Sequence, residues 1–126
     1  MDDTPKLKEY EILSEDRRRG IDIFLKGVVI AAAFLGINFK FLLDSTTRPE
    51  ILLSGSCGVV LLLFFHAVVW RCRRHVEQLH ASLDEIAKEL GLNPIISTRY
   101  IFNIVWIFTG IILFSWIAIF VYKMFP

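Results

Sequence analysis

Three long apolar runs, Ile23–Leu43, Ile51–Trp70 and Tyr100–Tyr122, take up half of the 126 residues and constrain this chain more than any other feature. A hydrocarbon core of about 30 Å needs roughly 20 helical residues at 1.5 Å each. The runs contain 21, 20 and 23 residues, so each is long enough to cross a bilayer. The pattern predicts an all-α membrane protein with three transmembrane helices.

The charge balance excludes some partners and orients the chain. Fourteen Lys and Arg nearly cancel thirteen Asp and Glu, and a net charge of +1 gives no electrostatic reason to expect nucleic acid. Lys6, Lys8 and the cluster Arg17, Arg18, Arg19 precede the first run, and Arg71, Arg73, Arg74, Lys88 and Arg99 lie between the second and third. Only Arg48 and Lys123 fall on the other side, which predicts a cytoplasmic N-terminus and middle segment and an outward C-terminus. In a bacterium that membrane is the inner one. The first run is expected to persist as a span, because it is too long for a signal-peptide core and lacks a small-residue cleavage pattern.

The resulting division is an amphipathic helix over 1–22, a first span over 23–43, a short outer loop over 44–50, and a second span over 51–70. A cytoplasmic helical extension over 71–93, a third span with an interfacial start over 94–122, and an outer tail over 123–126 follow. Thr4 and Pro5 form a helix start, and Leu7, Tyr10 and Leu13 recur at helical spacing, so this helix should lie against the membrane or another helix. Arg17, Arg18, Arg19, Arg71, Arg73 and Arg74 form a basic cluster at the membrane surface, where anionic lipid headgroups are the expected partners. Thr47, Pro49 and Glu50 supply a cap, a helix-starting proline and a capping-box acid, predicting a tight hairpin.

No helix breaker follows the second run until Gly91, while Cys72, Val76, Leu79, Leu83, Ile86 and Leu90 alternate four and three apart as a heptad seam. A helix with one apolar stripe in water needs a partner to cover it. The amino-terminal helix and the same helix of another subunit both qualify, so Val76, Leu79, Leu83, Ile86 and Leu90 are candidate residues for helix packing or oligomer formation.

Chemistry-bearing side chains within the runs are few. Lys26 and Lys40 share one face of the first span with Ala33 midway. That face can line a pore with a basic ring at each mouth, or both lysines can reach the nearest headgroups. His66 and Asn103 stand at similar depths and are expected to pair across helices. Ala32 and Gly36, and likewise Ser54, Gly55 and Gly58, mark positions of close helix approach. No catalytic, cofactor-binding or metal-ligating set is expected: the spans hold no Asp or Glu, His75 and His80 point apart, and no phosphate loop or HExxH pair is present. Cys57 and Cys72 offer no disulfide framework.

The stretch YEILSEDRRR over Tyr10–Arg19, with GINFKFLLD closing the first span, resembles small bacterial inner-membrane proteins of the RipA family, described as octameric. The likeness rests on Tyr10, Leu13, Asp16, Arg17, Arg18 and Lys40, and it implies a cyclic homo-oligomer whose cytoplasmic helices form a ring or stalk. The layout is also similar to the SLATT class of prokaryotic membrane effectors, which implies a pore; the third span departs from that class. The expected function is a non-enzymatic, homo-oligomeric scaffold or assembly protein of the inner membrane. A pore lined by Lys26, Ala33 and Lys40 is one alternative, and an accessory subunit of a larger complex is another.

Overall fold

The computed structural model describes residues 2–93 and 99–126. Three helices account for nearly all of them: α1 (Thr4–Asp44), α2 (Arg48–Glu89) and α3 (Arg99–Met124). Each is long and apolar enough to cross a membrane, which is the architecture of a multi-pass membrane protein. At 1.5 Å per residue the helices are about 61, 63 and 39 Å long. The first two therefore exceed a hydrocarbon core twofold, whereas α3 does not.

The expected division at residue 22 is absent: the amino-terminal segment and the first span are one unbroken helix of 41 residues. Nothing between them breaks a helix, since Gly20 and Gly27 weaken one without ending it. The helix starts one residue earlier than expected, with Thr4 already helical and Asp3 before it. The Asp2 carboxylate accepts hydrogen bonds from the Thr4 hydroxyl and N–H, and these hold it below the usual carboxylate range.

Only Ser45–Thr47 separate α1 from α2. Glu50 reaches back to accept the Thr47 N–H at 3.3 Å, completing the expected box. At its other end α2 stops in a Schellman motif, in which Gly91 N–H bonds Lys88 O at 3.2 Å and Leu92 N–H bonds Ala87 O at 2.8 Å. Gly91 has φ +68°, a conformation that glycine adopts without a Cβ penalty. The expected start at Asn93 and Pro94 falls partly outside the described residues.

The hairpin is antiparallel along its whole length. Asn38 Nδ2 donates to Ser54 O at 3.2 Å near the turn, and Lys6 Nζ meets Glu89 Oε2 at 2.6 Å at the far end. Covered positions of α2 run Ile51, Gly55, Gly58, Leu62, Phe65, Val69, Cys72, Val76, Leu79, Leu83, Ile86 and Leu90, alternating four and three without interruption. The facing positions of α1 keep the same rhythm at Tyr10, Ser14, Arg17, Ile21, Phe24, Val28, Ala31, Leu35, Asn38 and Leu42. This is the 3.5-residue repeat of a left-handed coiled coil, carried through the spans and beyond them. Of the two partners expected for the seam, the amino-terminal half of α1 is the one in place.

Helix α3 lies on one flank of the hairpin, antiparallel to α2. Phe102, Val105, Thr109, Ile112, Trp116 and Ile119 face inward, again three and four apart. The small cluster on α2 works differently from the expected backbone-to-backbone approach. A Cβ at Gly58 would overlap the Trp116 indole and one at Gly55 would overlap the Phe120 ring, so aromatic side chains occupy the space that the glycines leave. The indole N–H donates to Gly55 O at 3.1 Å. Phe24 with Phe102 and Phe39 with Trp116, at ring separations of 4.7 and 5.5 Å, tie α3 to α1 as well.

Candidate functional site

In the apolar half of the bundle, the back of α1 is covered by neither of the other two helices. Lys26, Ala33 and Lys40, seven residues apart, are all exposed on the back of α1, directly opposite the seam with α2. Gly36 and Ile37 extend this face and are exposed too. The two lysines differ in their surroundings. Lys26 Nζ pairs with Asp22 Oδ2 at 2.7 Å, one turn back on the same helix. Lys40 has no ion pair or hydrogen bond among the described residues. Asp22 was the legible signal here, because an acid four residues before a lysine is favourably placed to neutralise it.

Where α3 begins, arginines from all three helices collect within about two helical turns. Glu77 joins two of them: its Oε1 accepts Arg73 Nε at 3.3 Å and forms an ion pair with Arg99 Nε at 3.1 Å, linking the start of α3 to α2. Beside them, Val76, His80 and Phe102 close a cavity of about 260 Å³, and the buried His80 Nδ1 has no partner among the described residues. The Arg74 guanidinium lies over the Trp70 ring at 5.7 Å. On α1, Arg19 reaches Glu15 at 3.6 Å, Arg17 is half-buried at the seam, and Arg18 is exposed. Arg71 is exposed. Forked guanidinium groups of this kind suit phosphate oxygens.

His66 is paired differently from the expectation. Its Nδ1 lies 2.9 Å from Thr109 Oγ1, and the ring stacks at 4.9 Å on Trp106. The Thr109 hydroxyl donates to Trp106 O at 2.8 Å, which leaves its oxygen to accept from Nδ1–H. Asn103 is six residues away from Thr109, about 9 Å of helical rise, and belongs to a different level of the bundle. The histidine is thus a packing element with its proton position set by its neighbour.

Near the turn, Lys123 of α3 performs a further electrostatic task. Its ammonium donates to Leu42 O at 2.7 Å, Ser45 O at 3.0 Å and Leu43 O, capping the carbonyl end of α1. A cation there meets both unsatisfied acceptors and the negative end of the helix dipole. Among the described residues no three His, Cys, Asp or Glu side chains converge as a metal site. Comparison with protein-family models, with curated proteins and with solved structures finds no match.

Proposed function

We propose that the protein is a non-enzymatic, self-associating component of the bacterial inner membrane, with its N-terminus in the cytoplasm and its C-terminus outside. The excess of arginines where α3 begins supports this orientation by the positive-inside rule. In that placement, the amino-terminal part of α1 and the carboxy-terminal part of α2 form a two-helix cytoplasmic stalk. Tyr100 and Tyr122, both exposed and about 33 Å apart along α3, fit the two interfaces.

The observation that carries self-association is the open back of α1. Ala33 and Gly36 permit close approach of a second helix, and Lys40 has no ion pair or hydrogen bond among the described residues. The stalk seam no longer supports the idea, because α1 already covers it. Native mass spectrometry from nanodiscs tests the reading: a single closed oligomer supports it, and a monomer overturns it. A hetero-complex would instead favour the accessory-subunit reading. The octameric ring implied by the RipA likeness is one outcome of the same measurement.

A pore is the second reading, favoured by the heptad spacing of Lys26, Ala33 and Lys40 on a face that could line an axis. Anion flux in proteoliposomes, lost on changing Lys26 and Lys40 to Gln, would support it. Absence of flux in the wild-type oligomer would leave the scaffold role.

A further inference from the structure

On the flank opposite α3, the hairpin leaves an apolar groove of about 430 Å³. Gly20 and Gly27 are among its lining residues, with Phe34, Leu61, Phe64 and Val68 around them. These glycines differ from Gly55 and Gly58, which make room for aromatic rings of the same chain. A Cβ at Gly20 or Gly27 would meet nothing within 4 Å. Glycine within a helix costs about 1 kcal/mol relative to alanine, and at these two positions nothing in the chain fills the space that the missing side chain leaves.

The length of the groove points to its occupant. On α1 it runs from Gly20 to Leu35, about 22 Å, and on α2 from Cys72 to Leu61, about 16 Å. One leaflet of a 30 Å hydrocarbon core is about 15 Å deep. Farther toward the turn the same flank opens into a separate cavity of about 660 Å³, where Asn38, Ser54, Asp44 and Glu50 stand beside Phe41, Leu53 and Cys57. A helix crossing both leaflets would have to pass these polar and acidic groups, whereas a chain confined to one leaflet would not.

The open end of the groove has a basic rim. Arg71 continues the stripe of Phe64 and Val68, seven and three residues on, and Arg19 precedes Ile23 by one turn. His75 and Asp16 share this rim, and Arg19 also leans on Glu15. We propose that the groove binds one acyl chain of an anionic phospholipid from the leaflet next to the arginine layer, with Arg71 and Arg19 meeting its phosphate. This surface is distinct from the open back of α1, so the site does not depend on self-association.

The test uses the full-length protein in detergent, incubated with phosphatidylglycerol or with phosphatidylcholine and examined by native mass spectrometry. Wild type should retain one phosphatidylglycerol per chain and markedly less phosphatidylcholine. Gly27→Leu should lose both lipids while its helical ellipticity is unchanged, because the new side chain enters open space. Arg71→Gln should reduce phosphatidylglycerol retention to the phosphatidylcholine level. Gly20→Leu gives the same reading at the rim if Gly27→Leu fails to fold. Equal retention of the two lipids by wild type, or unchanged lipid retention in the leucine variants, overturns the proposal. A changed subunit number in Gly27→Leu with lipid retention intact would assign the groove to a neighbouring chain and overturn it as well.

Discussion

Lys6 and Glu89, 83 residues apart in sequence, meet at 2.6 Å and fix the register of a hairpin whose turn lies at its opposite end. Both side chains are about half exposed, so water screens the pair and its effect is on local fraying rather than on global stability. The Glu89 carboxylate raises the Lys6 ammonium above the ordinary lysine range. A raised lysine contributes stability that is complete below its unfolded pKa and is lost as pH rises through the folded value. Alkaline titration by NMR should place Lys6 above its free value in wild type and return it toward that value in Glu89→Gln. An unchanged Lys6 titration in that variant would break the assigned register.

Acid acts at the other end of the hairpin. Hydrogen bonds from the Thr47 side chain and backbone lower the Glu50 carboxyl below its ordinary range. A lowered carboxylate contributes stability above its unfolded pKa, and that contribution is lost as pH falls through the folded value. Proteolysis at the Ser45–Thr47 turn should therefore increase on acidification in wild type, and Glu50→Gln should show the faster cleavage already at neutral pH. Equal cleavage of the two proteins at neutral pH would remove the box from the account.

Leu83 is fully buried in the stalk seam and Ile86 beside it is half-buried. Leu83→Asp places a carboxylate where only α1 can surround it, at a cost of several kcal/mol unless the stalk opens. Hydrogen exchange should then show loss of protection over the amino-terminal half of α1 and the end of α2, with α3 unaffected. Subunit number should not change, since the seam is closed within one chain. A variant that becomes monomeric while keeping its stalk protection would show that the seam instead joins two chains.

Gly58→Ala and Gly110→Ala separate two meanings of glycine in a helix. At Gly58 the new methyl overlaps the Trp116 indole, whereas at Gly110 it meets nothing within 4 Å. The first should disturb the Trp116 environment and cost about 1–3 kcal/mol through overpacking. The second should be neutral or gain up to about 1 kcal/mol from helix preference. Tryptophan emission and denaturant midpoints measure both, and equal behaviour would contradict the ring-over-glycine packing.

Lys123→Met removes the ammonium that caps α1 and leaves the Leu42, Leu43 and Ser45 carbonyls without it. The expected loss is about 1–2 kcal/mol, with Lys123→Arg retaining part of the stability. Denaturation of the reconstituted protein followed by circular dichroism gives the comparison. Stability equal to wild type in the methionine variant would show that water replaces the cap at no cost.

The spans were legible because a run of about 20 apolar residues has few alternatives. Gly91, Pro49 and Glu50 marked helix ends correctly through local backbone chemistry. The seam was legible only beyond residue 71, where polar neighbours give it contrast. Within the spans both the packed and the lipid-facing sides are apolar, so the same heptad rhythm from Ile51 to Val69 carries no hydropathy signal. The partner of His66 depended on the axial register between α2 and α3, which side-chain type does not encode. Glycine positions were visible, but whether a ring, a backbone or nothing faces them required the third dimension.

The Lys123 cap also bears on the order of events at a ribosome. Helices α1 and α2 emerge first and can close their short turn while the carbonyl end of α1 still awaits its cation. When α3 follows, one ammonium reaches back across about 80 residues to the start of that turn. The late-made helix thereby completes the termination of the earliest-made one, so the first and last helices to be synthesised meet at a single turn.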